Sequence, residues 1–410
     1  MRFSFIICLL FPLIQASDNL NSARKGFKTQ LTRQVRDEQG FTAPPESVLE
    51  IVAYPTELGM MSAYLTVSDD TPKPAIVWVT GGFPPGGMDS GAWEPMPTEN
   101  DQSAKIFRLN NIIVMYPAFR GDKGNPGHQE GFYGEVQDVL SAISYLKTRK
   151  NVDPDRVYLG GHSTGATLAL LAAAAQPQIR GVFCFGPVSD PLLYGSEVAF
   201  HDTENDRENQ LRAPIHFLST IQTPTYILEG VLGGNLSELQ AMQAKSTNPM
   251  IHFIPVNGAN HFDLLFPVSR LIANKIATSN QNEFVLTQNE VQSAFDRHQD
   301  AIRESDDLST LSALRHNEVD FSVPQDAVFY IWSREADQLK QAASSLESSG
   351  FSVGHIESRQ DAEGIGFFLI TAHRQIRLDN LGMVFGYTKI TKQIERRFNA
   401  TYEGWSVTRK

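Results

Sequence analysis

Short apolar runs alternate with amphipathic stretches from about residue 45 to residue 275. The apolar runs are rich in β-branched and aromatic residues and predict strands at 48–54, 61–67, 75–79, 111–116, 156–159, 181–185, 225–228 and 250–255. Apolar residues at helical spacing predict a helix over 135–149, and an Ala- and Leu-rich run predicts another over 166–175. Short buried strands that alternate with helices are typical of an α/β fold with a mostly parallel sheet.

The pattern changes in the last third of the chain. Residues 286–318 are polar and helix-prone, and they predict a connecting helical segment. The order that follows is a strand at 327–332, a helix at 334–349, strands at 351–357 and 366–372, and a mixed segment at 381–398 that is helical towards its end. This β-α-β-β-α order predicts a small ferredoxin-like α+β domain. We therefore expect two domains, 45–285 and 319–410, joined by the helical linker 286–318.

Residues 1–17 have the pattern of a secretory signal peptide, with a positively charged start, a mostly apolar run over 3–14, and the small residues Ala16 and Ser17 behind it. The pattern predicts cleavage near Ala16 or Ser17 and a secreted or periplasmic protein. The alternatives are a buried first helix, which Pro12 disfavours, or a misassigned start codon. After cleavage we expect no membrane span, because no later run of about 18 apolar residues occurs.

Composition narrows the function classes further. The formal net charge of −11 argues against a surface that binds nucleic acid. The Gly-rich runs lack the Lys of a phosphate-binding loop and the spacing of a dinucleotide-binding motif, so no cofactor is expected. His316, His355 and His373 do not have the spacing of metal ligands, so no metal site is expected either.

The sequence Gly161-His162-Ser163-Thr164-Gly165 lies between a predicted strand and a predicted helix. Strand, Gly-x-Ser-x-Gly and helix is the sequence form of a nucleophile elbow, a sharp turn that raises a serine hydroxyl off the end of a sheet. Gly161 and Gly165 leave room for the neighbouring backbone, since a Cβ at either place would clash in so tight a turn. Ser163 is therefore the predicted nucleophile.

A serine hydroxyl is a poor nucleophile at neutral pH and needs a base to take its proton. His261 lies in a loop just after the last predicted strand and downstream of the elbow. This position makes His261 the predicted base. A surface histidine without a catalytic role is the alternative.

Three further stretches carry a resemblance to one superfamily. They are residues 116–121 (YPAFRG), 131–139 (GFYGEVQDV) and 152–156 (VDPDR), the last of which leads into the elbow. Together with the elbow they make residues 45–275 similar to the α/β-hydrolase superfamily, nearest to its dienelactone hydrolase and prolyl-oligopeptidase-like (S9) branch. The resemblance implies the α/β-hydrolase fold and an acyl-enzyme mechanism on an ester or amide.

The resemblance also implies an oxyanion hole made of two backbone N–H groups that face the developing negative charge. One comes from Thr164, directly after the nucleophile, and the other from Phe83 in the Gly81-Gly82-Phe83 loop. A tight surface loop is the alternative for these glycines. The residues proposed to line an apolar pocket are Phe83, Trp93, Phe132 and Tyr133. With residues 187–220 as a small lid, we expect a small or medium ester or amide substrate.

The acid is the point at which this sequence departs from the family. The branch usually ends its penultimate strand with His-Gly and places an Asp three residues after that Gly, a position that Gly233 holds here. The candidates nearby are Glu229, Asn235, Glu238 and, after the preceding strand, Asp190. We favour Glu229, because it lies at a strand end, where a carboxylate could face His261.

The last part of the chain, 319–410, resembles the RraB-type regulator of ribonuclease E activity. The resemblance is carried by the strand 328–332, the helix with Ala342, Ala343 and Leu346, the turn 349–351 and the ending 400–405 (ATYEGW). It implies a protein partner that binds through residues 319–410, with no chemistry in this domain. An appendage that packs on the hydrolase is the alternative. The predicted export signal conflicts with a cytoplasmic ribonuclease as partner.

Two functions are consistent with these patterns. The first is a serine hydrolase with the catalytic residues Ser163, Glu229 and His261 and an oxyanion hole at Phe83 and Thr164. The second is a catalytically weak or inactive hydrolase-fold protein that acts as a protein-binding module through its C-terminal domain. The missing Asp of the triad motivates the second.

Overall fold

The computed structural model of the protein describes residues 19–83, 87–278 and 284–408, so the predicted signal peptide at 1–17 lies outside the described residues. The chain divides into two compact units, Met1–Phe295 and Asp296–Lys410. Within the described ranges, no helix combines the length and the apolar character needed to cross a bilayer.

The first unit is built on one eight-stranded sheet. Its strands are β1 Leu49–Thr56, β2 Gly59–Thr66, β3 Lys73–Val79, β4 Ile113–Pro117, β5 Val152–His162, β6 Val182–Phe185, β7 Thr225–Gly230 and β8 Ile251–Val256. Their order in the sheet is β1-β2-β4-β3-β5-β6-β7-β8. β1, β2 and β4 pair antiparallel, and the strands from β4 to β8 in this order pair parallel. The predicted α/β-hydrolase fold is thereby confirmed.

Helices cover both faces of this sheet. They are α1 Leu20–Arg24, α2 Lys105–Leu109, α3 Glu135–Thr148, α4 Thr164–Ala174, α5 Asp206–Gln210, α6 Leu236–Lys245, α7 Leu265–Thr278 and the first turns of α8 Gln288–His316. Successive side chains of a strand point to opposite faces. In β3, Val77 joins the core formed with α3, α4 and α6, whereas Trp78 joins the core formed with α2, α7 and the start of α8. The parallel strands are buried on both sides, which explains their continuous apolar runs.

Residues 19–44, which precede the sheet, are tied to the segment 187–220 that follows β6. Arg24 donates hydrogen bonds to the backbone carbonyls of Phe132, Tyr133 and Leu211 at 2.6–3.0 Å. The segment 187–220 begins just after the carboxyl end of β6. Residues 19–44 therefore help to hold in place a segment that lies close to the site described below.

The second unit contains a five-stranded sheet with helices packed on it. Its elements after α8 are β9 Gln325–Ser333, α9 Ala336–Ser348, β10 Ser352–Val353, β11 Glu357–Gln360, β12 Gly366–Ile376, α10 Leu381–Phe398 and β13 Thr401–Val407. The antiparallel order is β10-β12-β9-β13, with β11 on β12. The predicted ferredoxin-like α+β domain is confirmed.

Three details of this unit differ from the sequence prediction. The expected strand at 351–357 is divided into β10 and β11, and the mixed segment is helical throughout as α10. The strand β13 was not predicted, because Glu403 and Gly404 interrupt its apolar pattern. The register of β13 against β9 shifts between Tyr402 and Gly404, which is a bulge that this interruption accommodates.

The predicted connecting segment is the helix α8, but it does more than connect. Val291 and Phe295, in its first turns, are buried in the core of the first unit. From Asp296 onwards its residues belong to the second unit, and Leu311 is part of the core there. Each unit therefore includes part of this helix.

Candidate active site

Ser163 occupies a sharp turn between β5 and α4. Its φ of 54° and ψ of −119° are unusual for a residue with a side chain. A Cβ at Gly161 would lie 2.6 Å from Gly165 O, and a Cβ at Gly165 would lie 2.2 Å from Val79 O. Both contacts are far too short for a real Cβ. The predicted reason for the two glycines is confirmed, and the turn has the geometry of a nucleophile elbow.

His261 lies in the loop between β8 and α7, and its Nδ1 is 2.8 Å from Glu229 Oε2. Glu229 is at the end of β7 and has no exposed surface. Its Oε1 accepts a hydrogen bond from Gly230 N at 2.7 Å, and its Oε2 accepts another from Asn235 N at 2.9 Å. A carboxylate held in this way orients the imidazole and leaves Nε2 as the nitrogen that can take a proton from an alcohol.

The other three candidate acids have different hydrogen-bond partners. Asp190 accepts from Leu192 N at 2.9 Å and caps a short 3₁₀ helix. Glu238 accepts from Ser189 Oγ at 2.5 Å. The side-chain amide of Asn235 donates to a backbone carbonyl, Gly186 O, at 2.8 Å. Of the four candidates, the structure therefore brings the carboxylate of Glu229 to His261.

The Gly81-Gly82-Phe83 loop follows β3 and lies against the elbow. A Cβ at Gly81 would be 3.2 Å from Ser163 Cβ. Gly82 N donates a hydrogen bond to Thr164 Oγ1 at 3.0 Å, and Thr164 Oγ1 donates one to Gly82 O at 2.7 Å. Phe83 is the next residue in the chain after Gly82. The two residues predicted to supply the oxyanion donors, Phe83 and Thr164, are therefore linked by these hydrogen bonds to Gly82.

His162 is a site residue that the sequence did not reveal. Its Nε2 lies 3.1 Å from the carbonyl oxygen of His261, and its Nδ1 lies 3.3 Å from Gln102 Oε1. Burial, with the neighbouring His261, lowers the pKa of His162 to about 3, so its ring is neutral near pH 7. A neutral ring that donates to the His261 carbonyl holds the backbone of the predicted base. In the motif, His162 is only the variable residue before the serine, and it carries no signal for this contact.

Tyr194 is a second residue that sequence reasoning missed. Its hydroxyl lies 2.9 Å from Thr167 Oγ1, and the Ser163 side chain is one of the polar neighbours that act on its pKa. Burial raises the pKa of Tyr194 well above its ordinary value, so the hydroxyl keeps its proton. The segment 187–220, interpreted from sequence as a lid, thus supplies a hydroxyl beside the elbow serine.

Two of the four aromatic residues predicted for a pocket reach this site. The rings of Phe83 and Phe132 lie 5.6 Å and 6.0 Å from the ring of Tyr194. The other two pack elsewhere: Trp93 contacts the ring of Tyr64, and Tyr133 contacts that of Phe27. Those two are therefore better explained as packing residues than as pocket residues.

Four exposed apolar side chains lie in loops that follow strands of the parallel part of the sheet. They follow β3, β6, β7 and β8, and they are Phe83 (55% exposed), Leu193 (60%), Leu232 (42%) and Phe262 (40%). The carboxyl ends of parallel strands share one edge of a sheet, which is where ligands of such folds bind. We call these four residues the apolar rim. Exposed apolar side chains at such an edge favour contact with an apolar part of a ligand.

Two parts of the chain match known family models. Residues 99–244 match the prolyl oligopeptidase family, and residues 304–407 match the regulator of ribonuclease activity B. Both resemblances inferred from the sequence are confirmed. The first match includes Ser163 and Glu229 and ends before His261.

Two curated proteins are similar to parts of the chain. The uncharacterized peptidase YtmA of Bacillus subtilis (strain 168) is 26% identical over 143 residues, which cover 32% of this chain and 56% of that protein. The thiohydrolase apmlB of Arthrinium phaeospermum is 36% identical over 82 residues, which cover 19% of this chain and 27% of that protein. The chain thus spans about half or less of the length of these relatives.

Solved structures with a similar arrangement include hydrolases of several kinds. The 2,6-dihydroxy-pseudo-oxynicotine hydrolase has a TM-score of 0.45 and 17% identity, and the alignment covers 57% of this chain and 68% of that one. The acylaminoacyl peptidase of Pyrococcus horikoshii has a TM-score of 0.46 and 14% identity, with 59% and 43% covered.

Proposed function

We propose that the first unit is a serine hydrolase that cleaves an ester or amide bond through an acyl-enzyme on Ser163. The observation that carries the proposal is the 2.8 Å contact between His261 Nδ1 and the buried carboxylate of Glu229, beside a serine in an elbow. The match of residues 99–244 to the prolyl oligopeptidase family supports the same chemistry.

In the proposed mechanism, Ser163 Oγ attacks the carbonyl carbon while His261 Nε2 takes the hydroxyl proton. Glu229 stabilises the imidazolium that forms. The N–H groups of Thr164 and Phe83 donate to the oxyanion of the tetrahedral intermediate. His261 then gives its proton to the leaving alcohol or amine, and a water molecule activated by the same histidine hydrolyses the acyl-enzyme.

The apolar rim supports a substrate with an apolar group next to the scissile bond. Its four side chains are each at least 40% exposed. An apolar acyl chain that covers them would gain about 25 cal/mol of binding free energy for each Å² of apolar surface removed from water. We therefore propose small or medium esters or amides with apolar acyl groups, and an ester series of increasing chain length tests this.

Labelling with a fluorophosphonate probe tests the proposed chemistry, because this probe reacts covalently with activated serines. We expect wild-type protein to be labelled and the Ser163→Ala variant not to be labelled. Ser144→Ala is a matched control, since Ser144 is exposed on α3 and its hydroxyl only bonds a helix carbonyl. Folded wild-type protein without labelling would argue against a serine hydrolase.

A second proposal concerns residues 319–410, for which the match of 304–407 to a regulator family is the supporting observation. We propose that this part binds a protein partner. Ser163→Ala protein and a chain that lacks 319–410 can be used as paired baits. A partner retained by both baits would count against the proposal.

We also propose export through residues 1–17, on the sequence pattern alone. N-terminal sequencing of the protein from its native host tests this. A mature chain that begins near Ala16 or Ser17 is the expected result.

A further inference from the structure

Thr164 connects the elbow to the loop that follows β3. Its hydroxyl accepts a hydrogen bond from Gly82 N at 3.0 Å and donates one to Gly82 O at 2.7 Å. The side chain is fully buried, so water does not compete for these bonds. One side chain thus holds one loop residue at both its N–H and its C=O.

The second of these bonds acts on the neighbouring peptide. The peptide bond between Gly82 and Phe83 is planar and trans, so its C=O and its N–H point in opposite directions. When Thr164 holds Gly82 O, it therefore also sets the direction of Phe83 N–H. Gly82 has a φ of 142°, and a glycine places little steric restriction on the rotation of adjacent peptides.

We propose that the Thr164 hydroxyl is a positioning group that locks the Gly82–Phe83 peptide in the orientation in which Phe83 N–H faces the oxyanion. This inference rests on the proposed hydrolase function and gives Thr164 a second role beside its own backbone N–H. If this peptide were flipped, the carbonyl oxygen of Gly82 would face the developing negative charge of the oxyanion. The negative end of the carbonyl dipole would then repel that charge. We call the pair of bonds the hydroxyl clamp.

The contact between loop and elbow makes the clamp effective. A Cβ at Gly81 would lie 3.0 Å from His162 O and 3.2 Å from Ser163 Cβ, so the loop already packs directly on the elbow. Packing sets the distance between the two segments, but a peptide can rotate about its long axis within that distance. The hydroxyl clamp removes this rotation.

The test compares Thr164→Val and Thr164→Ser with the wild-type full chain in the hydrolysis of p-nitrophenyl butyrate. Val keeps the β-branched shape and removes the hydroxyl, whereas Ser keeps the hydroxyl. We expect kcat of the Val variant to fall on the order of 10- to 100-fold, somewhat less than the loss of an oxyanion donor. KM should stay unchanged, because the lost interaction acts only in the transition state. The Ser variant should recover most of kcat.

Two further measurements separate positioning from a structural effect. An arylboronic acid forms a tetrahedral anion on an active serine, and its inhibition constant should weaken by the same factor as kcat/KM. After a long incubation, the fluorophosphonate probe should still label each molecule of the Val variant once, because Ser163 and His261 are intact. Thr225→Val is the matched control, since Thr225 is fully buried at the start of β7 and its hydroxyl donates to Thr223 O at 2.9 Å. It should lower stability without lowering kcat.

Each outcome decides the proposal. A Val variant with wild-type kcat, or a Ser variant as slow as the Val variant, would overturn the hydroxyl clamp while leaving the hydrolase proposal intact. Wild-type protein that is never labelled would overturn the hydrolase proposal and the clamp with it. If the Val variant does not fold, Thr164→Ala and Thr164→Ser differ by one oxygen atom and give the same comparison.

Discussion

Glu229 and His261 form a pair whose members are 32 positions apart in the chain. The carboxylate lies at the end of β7, four positions before Gly233, where the family pattern would place an Asp. A glutamate at the strand end reaches the same imidazole, because its side chain is one carbon longer than that of Asp. The proposed triad therefore has its acid at a different place in the chain.

Replacement of Glu229 by Gln tests this placement. The variant keeps the size of the side chain but cannot carry the charge that stabilises the imidazolium. We expect kcat/KM for ester hydrolysis to fall about 10²- to 10⁴-fold. Asp190→Asn is the control and should stay near the wild-type value, since Asp190 caps a 3₁₀ helix. A larger loss in the Asp190 variant would identify that residue as the acid.

His162 predicts a dependence of stability on pH. The folded protein resists protonation of His162 down to about pH 3, whereas an unfolded chain takes up the proton near pH 6.5. Protonation of His162 therefore favours the unfolded chain below about pH 6.5. The free energy of unfolding is unaffected by this group above that pH, and it falls as the pH drops towards 3, by at most about 1.4 kcal/mol per pH unit. Urea unfolding of wild type and His162→Gln between pH 4 and pH 8 measures the difference. Parallel curves for the two proteins would contradict the prediction.

At the scale of elements, one buried carboxylate connects the second half of α8 to two other elements of its unit. Asp307 Oδ2 accepts from Thr388 Oγ1 of α10 at 2.6 Å, and Oδ1 accepts from Trp405 Nε1 of β13 at 3.0 Å. Arg303 Nη1 lies 3.3 Å from Oδ2. Burial raises the pKa of Asp307, and these hydrogen bonds offset part of that cost. The carboxylate connects a helix, a second helix and a strand.

We expect Asp307→Ala to destabilise the second unit by about 2–4 kcal/mol, because it removes the buried carboxylate beside Arg303 and leaves the Trp405 N–H without its acceptor. Hydrogen exchange followed by mass spectrometry measures the change separately for peptides of each unit. Asp306→Ala is the matched control, since Asp306 is the exposed neighbour on the same helix. Equal effects of the two substitutions would show that the network contributes little.

At the scale of the whole molecule, every residue proposed for the chemistry lies between Phe83 and His261, within the first unit. The second unit contributes none of them. Catalysis by the first unit should therefore survive removal of the second, provided that the cut preserves the part of α8 that the first unit needs.

A chain that ends after residue 298 should retain fluorophosphonate labelling of Ser163. A chain that ends after residue 285 loses Val291 and Phe295 from the core, and we expect it to unfold at a lower temperature. Labelling and thermal unfolding of both chains test the prediction. A folded chain ending at 298 that is no longer labelled would show that the second unit takes part in the chemistry.

The fold class follows from the sequence because periodicity is a local property. Apolar runs predicted all eight strands of the first sheet, and the elbow was recognisable because its strand, glycines, serine and helix are neighbours in the chain. In the second unit, β13 was missed because a bulge at Glu403 and Gly404 breaks the pattern that periodicity depends on.

The amino-acid sequence by itself determined the two folds, the candidate nucleophile and a short list of acids. Only the tertiary structure decided which acid lies beside His261, and it added Tyr194, His162 and the hydroxyl clamp of Thr164. These contacts join loops that follow different strands, such as Gly82 and Thr164, which are 82 positions apart. A side chain reaches only a few ångströms, so which loops meet depends on the order of the strands in the sheet, which no local pattern encodes.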